Sequence, residues 1–126
     1  MIIGLDHAGY RVENLEESIT HYENLGFKIL KRFEIENENI KAAMLRKGEQ
    51  GIELFECPNP TAEISKKVSH HIALRSDDVD ADVQKFLNDG WKISMPISTG
   101  RVVKKYAYVE DKLGNQIEIV ELTKTV

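Results

Sequence analysis

Residues 7–29, HAGYRVENLEESITHYENLGFKI, return at residues 71–93 as HIALRSDDVDADVQKFLNDGWKI without a gap. Six of the 23 pairs are identical: His7/His71, Arg11/Arg75, Asn24/Asn88, Gly26/Gly90, Lys28/Lys92 and Ile29/Ile93. Others keep their chemical character, among them Tyr22/Phe86, Phe27/Trp91 and Asn14/Asp78. A second match follows at a shift of 65, where Ile52-Glu53-Leu54-Phe55-Glu56 falls on Ile117-Glu118-Ile119-Val120-Glu121. One inserted residue reconciles the two shifts. The same order in both halves reads as two copies of one module of roughly 60 residues, an internal duplication.

Working outward from the repeat, each copy spells the same series of elements. Residues 5–12 alternate as a strand does, and Asn14 with Glu17 offers an N-cap and its capping-box partner. Leu15, Ile19 and Tyr22 keep helical spacing, and Gly26 is placed to end the helix. In the second copy Asp78 is the cap, Val79, Val83 and Phe86 the stripe, and Gly90 the stop. Three strand-like stretches follow in each half, near 27–36, 39–47 and 51–57, and near 91–95, 103–110 and 116–122. The expected fold is α+β, with two tandem βαβββ modules in one domain over 1–126, the first about 1–59 and the second about 68–126. Pro58–Lys67 is expected to be the hinge between them, and Glu56 and Glu121 to mark strand ends at the surface.

Composition narrows the function classes. A hydrophobic share of 41% and a charged share of 30% are those of a globular chain, and a net charge of −4 gives no reason to expect nucleic acid as partner. No apolar run approaches the ~20 residues that span a bilayer, so no membrane role is expected, and no signal peptide is visible at the start. Cys57 is the only cysteine, which excludes an internal disulfide and makes a reducing cytoplasm the expected location.

The chemistry follows from strand alternation. Leu5, His7, Gly9 and Arg11 share one side of the first strand, with Asp6, Ala8, Tyr10 and Val12 on the other. The repeat puts His71, Ala73 and Arg75 on the His7 side of the second module. On the last strand of each module, Glu53 lies with Phe55 and Glu118 with Val120, opposite the apolar positions that pack under the helices. Each half thus offers one imidazole and one carboxylate, 46 residues apart in the first and 47 in the second. Nitrogen and oxygen donors of this kind suit a borderline divalent ion, and four protein ligands on an octahedral ion leave two positions for water or substrate oxygens. The adjacent His70 is expected to sit at the strand start and His21 on the helix surface. Cys57 has no base nearby in sequence and is expected to be an ordinary small residue. An inward Arg is costly unless paired, so Arg75 is expected to orient a carboxylate ligand or to close a salt bridge. Gly100-Arg101 with Lys104 and Lys105 offers either an anion-binding edge or a solvated basic loop.

These segments carry a family resemblance along essentially the whole chain. His7-x3-Arg11-Val12 followed by Leu15-Glu16-Glu17-Ser18-Ile19-x2-Tyr22-x2-Leu25-Gly26-Phe27 resembles the first strand and helix of the glyoxalase I branch of the vicinal oxygen chelate superfamily. Ile52-Glu53-Leu54, His71-Ile72-Ala73 and Gly114-Asn115-Gln116-Ile117-Glu118 resemble its other ligand strands. The resemblance implies curved mixed sheets enclosing one divalent ion, Ni, Co or Zn, held by His7, Glu53, His71 and Glu118, usually in a homodimer. It implies a lactoylglutathione lyase-like activity of the kind used in methylglyoxal detoxification. There a 2-oxoaldehyde–thiol hemithioacetal becomes a 2-hydroxyacyl thioester through an enediolate, with Glu118 as base and Glu53 relaying the proton. Arg11 matches a substrate-binding arginine of the family, Tyr106 and Tyr108 its hydrophobic pocket, and Arg101 is the basic candidate for a substrate anion. Two departures concern the thiol. Cys57 stands where glutathione-using relatives have Asn, and Asp111-Lys112-Leu113-Gly114 replaces the family's Asp-Pro-Asp-Gly turn. Two alternatives stay open: an acyl-CoA epimerase of the same superfamily, whose second ligand is often Gln, and a non-catalytic small-molecule binding protein. The ligands themselves would come from one chain or be shared across a dimer.

Overall fold

The computed structural model describes residues 1–100 and 103–122. Arg101 therefore lies outside the described residues. Eight strands and three α-helices occur among the described residues, in the order strand, helix, three strands, helix, strand, helix, three strands. The fold is α+β with mixed strand pairing, and it contains the two tandem βαβββ modules. No helix among the described residues is long and apolar enough to cross a membrane. The chain divides into two compact units, His7–His71 on the one hand and Met1–Asp6 with the described residues from Ile72 onward on the other.

In the unit of residues 7–71, β1 (Ile2–Arg11) enters with its second half and leads through Asn14 into α1 (Leu15–Asn24). The Asn14 side chain accepts from the Glu17 amide at 3.0 Å, which satisfies one of the open donors of the helix start. Glu56 adds a long-range cap, its Oε1 accepting from the Leu15 amide at 2.9 Å. The helix stops at Leu25 because Gly26 takes φ 98°, a left-handed conformation that glycine adopts without steric cost. The strands β2 (Lys28–Ile35), β3 (Ile40–Lys47) and β4 (Gln50–Glu56) then give the order β2-β3-β4-β1. β1 and β4 run parallel with His7 opposite Gly51, Gly9 opposite Glu53 and Arg11 opposite Phe55. One sheet face buries Val12, Ala43, Leu45 and Leu54 against Leu15 and Ile19 of α1.

The opposite face of the same strands has its own cover. Between the modules, where a hinge was expected, residues Glu63–Ser69 form α2. Its Val68 and Ile64 pack on Ile40, Ala42, Phe55 and Cys57 of the sheet. Successive residues of a strand point to opposite faces, so Leu54 meets α1 while Phe55 meets α2. This helix is held by apolar packing rather than by capping, since Ala62 at its start makes no side-chain cap hydrogen bond.

The second unit repeats the plan. β5 (His70–Ser76) supplies its residues from Ile72, followed by α3 (Val79–Asn88), β6 (Lys92–Ser98), β7 (Lys105–Glu110) and β8 (Gln116–Glu121). Their order is β5-β8-β7-β6, with β5 and β8 parallel. Asp78 caps α3 through the Ala81 amide, and Glu121 Oε1 accepts from the Val79 amide at 3.1 Å. Glu56 and Glu121 thus close the start of the preceding module helix, a role beyond that of surface strand ends. Val79 and Val83 pack on Ala107, Val109 and Ile119. Asp6 is buried, and Arg75 Nε and Nη2 donate to its Oδ1 at 3.0 and 2.7 Å. Arg75 therefore closes a salt bridge, one of the two roles expected of it.

Candidate metal centre

Three of the four residues singled out by the repeat meet within the unit of residues 7–71. His7 comes from the middle of β1, Glu53 from the middle of β4, and His71 from the start of β5. The parallel pairing of β1 with β4 puts the glutamate strand directly beside the histidine strand. All three residues are buried, 2%, 7% and 5% exposed. Each offers one ligand atom, and these atoms lie within 4.8 Å of one another. His7 Nε2 is 3.2 Å from His71 Nε2, with Glu53 Oε1 at 3.5 Å from the former and 3.3 Å from the latter. The two rings meet edge to face at an interplanar angle of 90°.

These separations are informative. Donors held ~2.1 Å from a common ion at angles of about 90–110° stand ~3.0–3.4 Å apart, close to the three distances observed. Burial pushes the Glu53 carboxyl up, but hydrogen bonds from His7 and His71 outweigh it and hold the group at about 2. Glu53 is therefore ionised at neutral pH, as a ligand carboxylate must be. The other ring nitrogen of His71, Nδ1, lies 3.3 Å from the Val68 carbonyl oxygen at the end of α2. A carbonyl only accepts, so Nδ1 is the donor in this bond, and Nε2, which faces Glu53 and His7, is the nitrogen that would bind a metal. The donor set, its burial and its spacing all fit a divalent cation.

Two glycines make room for this arrangement. A Cβ on Gly9 would stand 2.1 Å from His71 Cε1 and 2.6 Å from its Nε2. A Cβ on Gly51 would stand 2.8 Å from the His7 Cβ and from Arg46 Nη1. Neither glycine was singled out from the sequence as part of the site. The available signal was that a glycine inside an alternating strand marks a close approach of another group.

In the second unit, Glu118 lies in the middle of β8, 7% exposed, with Ala73 of β5 as its neighbour on one side and Tyr108 of β7 on the other. Tyr108 is buried, and Tyr106 packs with Ala73, Val103 and Val120, its ring centroid 6.5 Å from that of Tyr108. Arg11 is turned toward Glu13, donating at 3.1 Å, and borders a cavity of about 660 Å³ with Asn39, Lys41 and Cys57. His70 stands at the junction of α2 and β5, exposed, and His21 is exposed on α1. Cys57 is a buried free thiol, packed with Phe55 and Val68, and burial pushes its pKa up.

A sequence profile of the Glyoxalase/Bleomycin resistance protein/Dioxygenase superfamily matches residues 4–119. The chain belongs to that superfamily, the vicinal oxygen chelate group. A curated relative, the uncharacterized protein YwbC of Bacillus subtilis (strain 168), is 35% identical over 122 residues, which is 93% of this chain and 96% of the relative. Solved structures of similar fold include a hypothetical protein from Bacillus halodurans C-125, at a TM-score of 0.77 and 24% identity, covering 97% of this chain and 96% of that one. Another is methylmalonyl-CoA epimerase from Mycobacterium tuberculosis, at a TM-score of 0.80 and 23% identity, covering 97% of this chain and 89% of that one. The superfamily includes enzymes that act on small molecules, and its members usually bind a divalent metal.

Proposed function

We propose that the chain is a metal-dependent enzyme that moves a proton at a carbon next to a carbonyl, with His7, Glu53, His71 and Glu118 as the ligands. The buried His7–Glu53–His71 cluster carries this reading, because two imidazoles and an ionised carboxylate converge at ligand spacing. Glu118 is added as the repeat counterpart of Glu53, buried to the same degree on the corresponding strand. A divalent ion bound there supplies Lewis acidity to the substrate oxygens. Glu118 is the base that takes the proton from carbon, and Glu53 is the group that returns a proton or relays it to the neighbouring atom. Arg11, Arg101, Tyr106 and Tyr108 are the proposed substrate contacts.

The substrate class proposed first is an acyl-CoA thioester whose α-carbon is epimerised. Support comes from the likeness in fold to methylmalonyl-CoA epimerases. The glyoxalase-type conversion of a 2-oxoaldehyde–thiol hemithioacetal is the second reading, and Glu53 is the residue that favours it. Acyl-CoA epimerase relatives often place Gln at that position, whereas two histidines and two glutamates are the set of the glyoxalase branch.

The first test is metal content and titration with Ni(II), Co(II) and Zn(II). Wild type and His70→Ala should bind about one ion per chain, while His7→Ala and His71→Ala should lose it. Equal binding by all four proteins would overturn the metal reading. The second test incubates the loaded enzyme in heavy water with methylmalonyl-CoA or with methylglyoxal and a thiol. Deuterium at the α-carbon of the first supports the epimerase, and deuterium in the thioester formed from the second supports the glyoxalase. Exchange into neither, by a protein that does bind metal, would replace both with a non-catalytic binding role.

A further inference from the structure

Gly9 occupies a place where any side chain would strike an imidazole. A Cβ built there lies 2.1 Å from Cε1, 2.6 Å from Nε2 and 2.7 Å from Nδ1 of His71, so the ring lies directly over the bare backbone of β1. The ring cannot simply step aside. Its Nδ1 is tied to the Val68 carbonyl, its Nε2 faces His7 and Glu53, and Phe55 stands beside it with ring centroids 5.9 Å apart. Gly9 is also the strand neighbour of Glu53, so an added methyl would intrude between two members of the same cluster. Its repeat counterpart, Ala73, carries a side chain and is fully buried, which shows that the strand position accepts a methyl where no ring needs the space.

We propose that Gly9 is a positioning residue of the metal site, with its missing side chain serving as the seat of the His71 imidazole. The inference rests on the metal reading above for its consequence, though the seat itself is a property of the metal-free protein. Backbone conformation does not explain the glycine, because Gly9 is not among the glycines with positive φ and alanine suits an extended strand. Gly4 provides the control, since it lies on the same strand with nothing within 4 Å of its would-be Cβ.

The experiment compares Gly9→Ala with Gly4→Ala in full-length protein, using Co(II) as probe. Displacing a group that orients a ligand typically weakens metal binding ~10–100-fold. That loss, with a changed cobalt absorption spectrum, is expected for Gly9→Ala and not for Gly4→Ala. Cobalt affinity and spectrum unchanged in Gly9→Ala would overturn the proposal. A second arm needs no metal: the His71 ring resonances of the metal-free protein, identified by their absence in His71→Ala, should move in Gly9→Ala and stay in place in Gly4→Ala. If wild type binds no cobalt but those resonances move, the metal reading fails and the seat stands. If wild type binds cobalt and the resonances do not move, the seat fails alone.

Discussion

Replacing Asp6 by alanine removes an anion whose side chain is fully buried and leaves Arg75, one-fifth exposed, without it. Both donated hydrogen bonds, at 3.0 and 2.7 Å, end on the single oxygen Oδ1. Breaking a buried pair costs ~3–5 kcal/mol because an uncompensated charge remains. Partial access of water to Arg75 lowers the expectation to about 2–4 kcal/mol, since exposed pairs are worth less. Asp6→Asn keeps an oxygen at the Oδ1 position and loses only the charge, so its cost should be about half as large, on the order of the gap between charged and neutral hydrogen bonds. Urea denaturation of the metal-free protein measures both, and a double-mutant cycle with Arg75→Ala isolates the pair. A coupling of about 1.5 kcal/mol or more is expected. A value under ~0.5 kcal/mol, the range of an exposed pair, would refute the reasoning that burial gives this contact its weight.

Glu118→Gln should keep appreciable metal, since an amide oxygen still coordinates, yet lose ~10²–10⁴-fold in turnover because an amide accepts no proton at neutral pH; full activity would reassign the base. Burial and the hydrogen bond with Tyr22 raise Tyr10 from its ordinary value of 10 to about 12. Its folded-state value lies above the unfolded one, so its contribution to stability should be complete below pH ~10 and be lost as pH rises toward 12. Ultraviolet titration checks this, and Tyr22→Phe should bring the Tyr10 transition down. Sedimentation equilibrium at micromolar concentration should find a homodimer, and a strict monomer would confine His7, Glu53, His71 and Glu118 to one chain.

The repeat made most of the architecture legible, because it compares the chain with itself. A cap at Asn14 is a weak signal alone, but Asp78 at the same place in the second copy does the same work through the Ala81 amide. Period-two alternation correctly put Glu53 and Phe55 opposite Leu54. The helix α2 escaped for a physical reason. Pro58 and Pro60 precede it, Ala62 provides no cap, and its seven residues are too few for a periodic stripe. Tertiary packing of Ile64 and Val68 holds it, and packing is not written in a local window. The pairing of Asp6 with Arg75 was not legible, because alternation says which way a side chain points and not which partner will come to it. Glu56 and Glu121 were visible as a matched pair, but their helix-capping role needed the distances.

The direct run of α2 into β5 limits where this chain tolerates added length. Only two residues separate Val68, whose carbonyl holds the His71 ring, from His71 itself. One extra residue there would turn the ring-bearing position to the other side of the strand, since side chains alternate one by one. The turn at 111–115 is different, closed on itself by Asp111 accepting from the Leu113 and Asn115 amides, with Leu113 exposed. A peptide tag or reporter belongs in that turn, and the short passage from helix to strand is the place to leave alone.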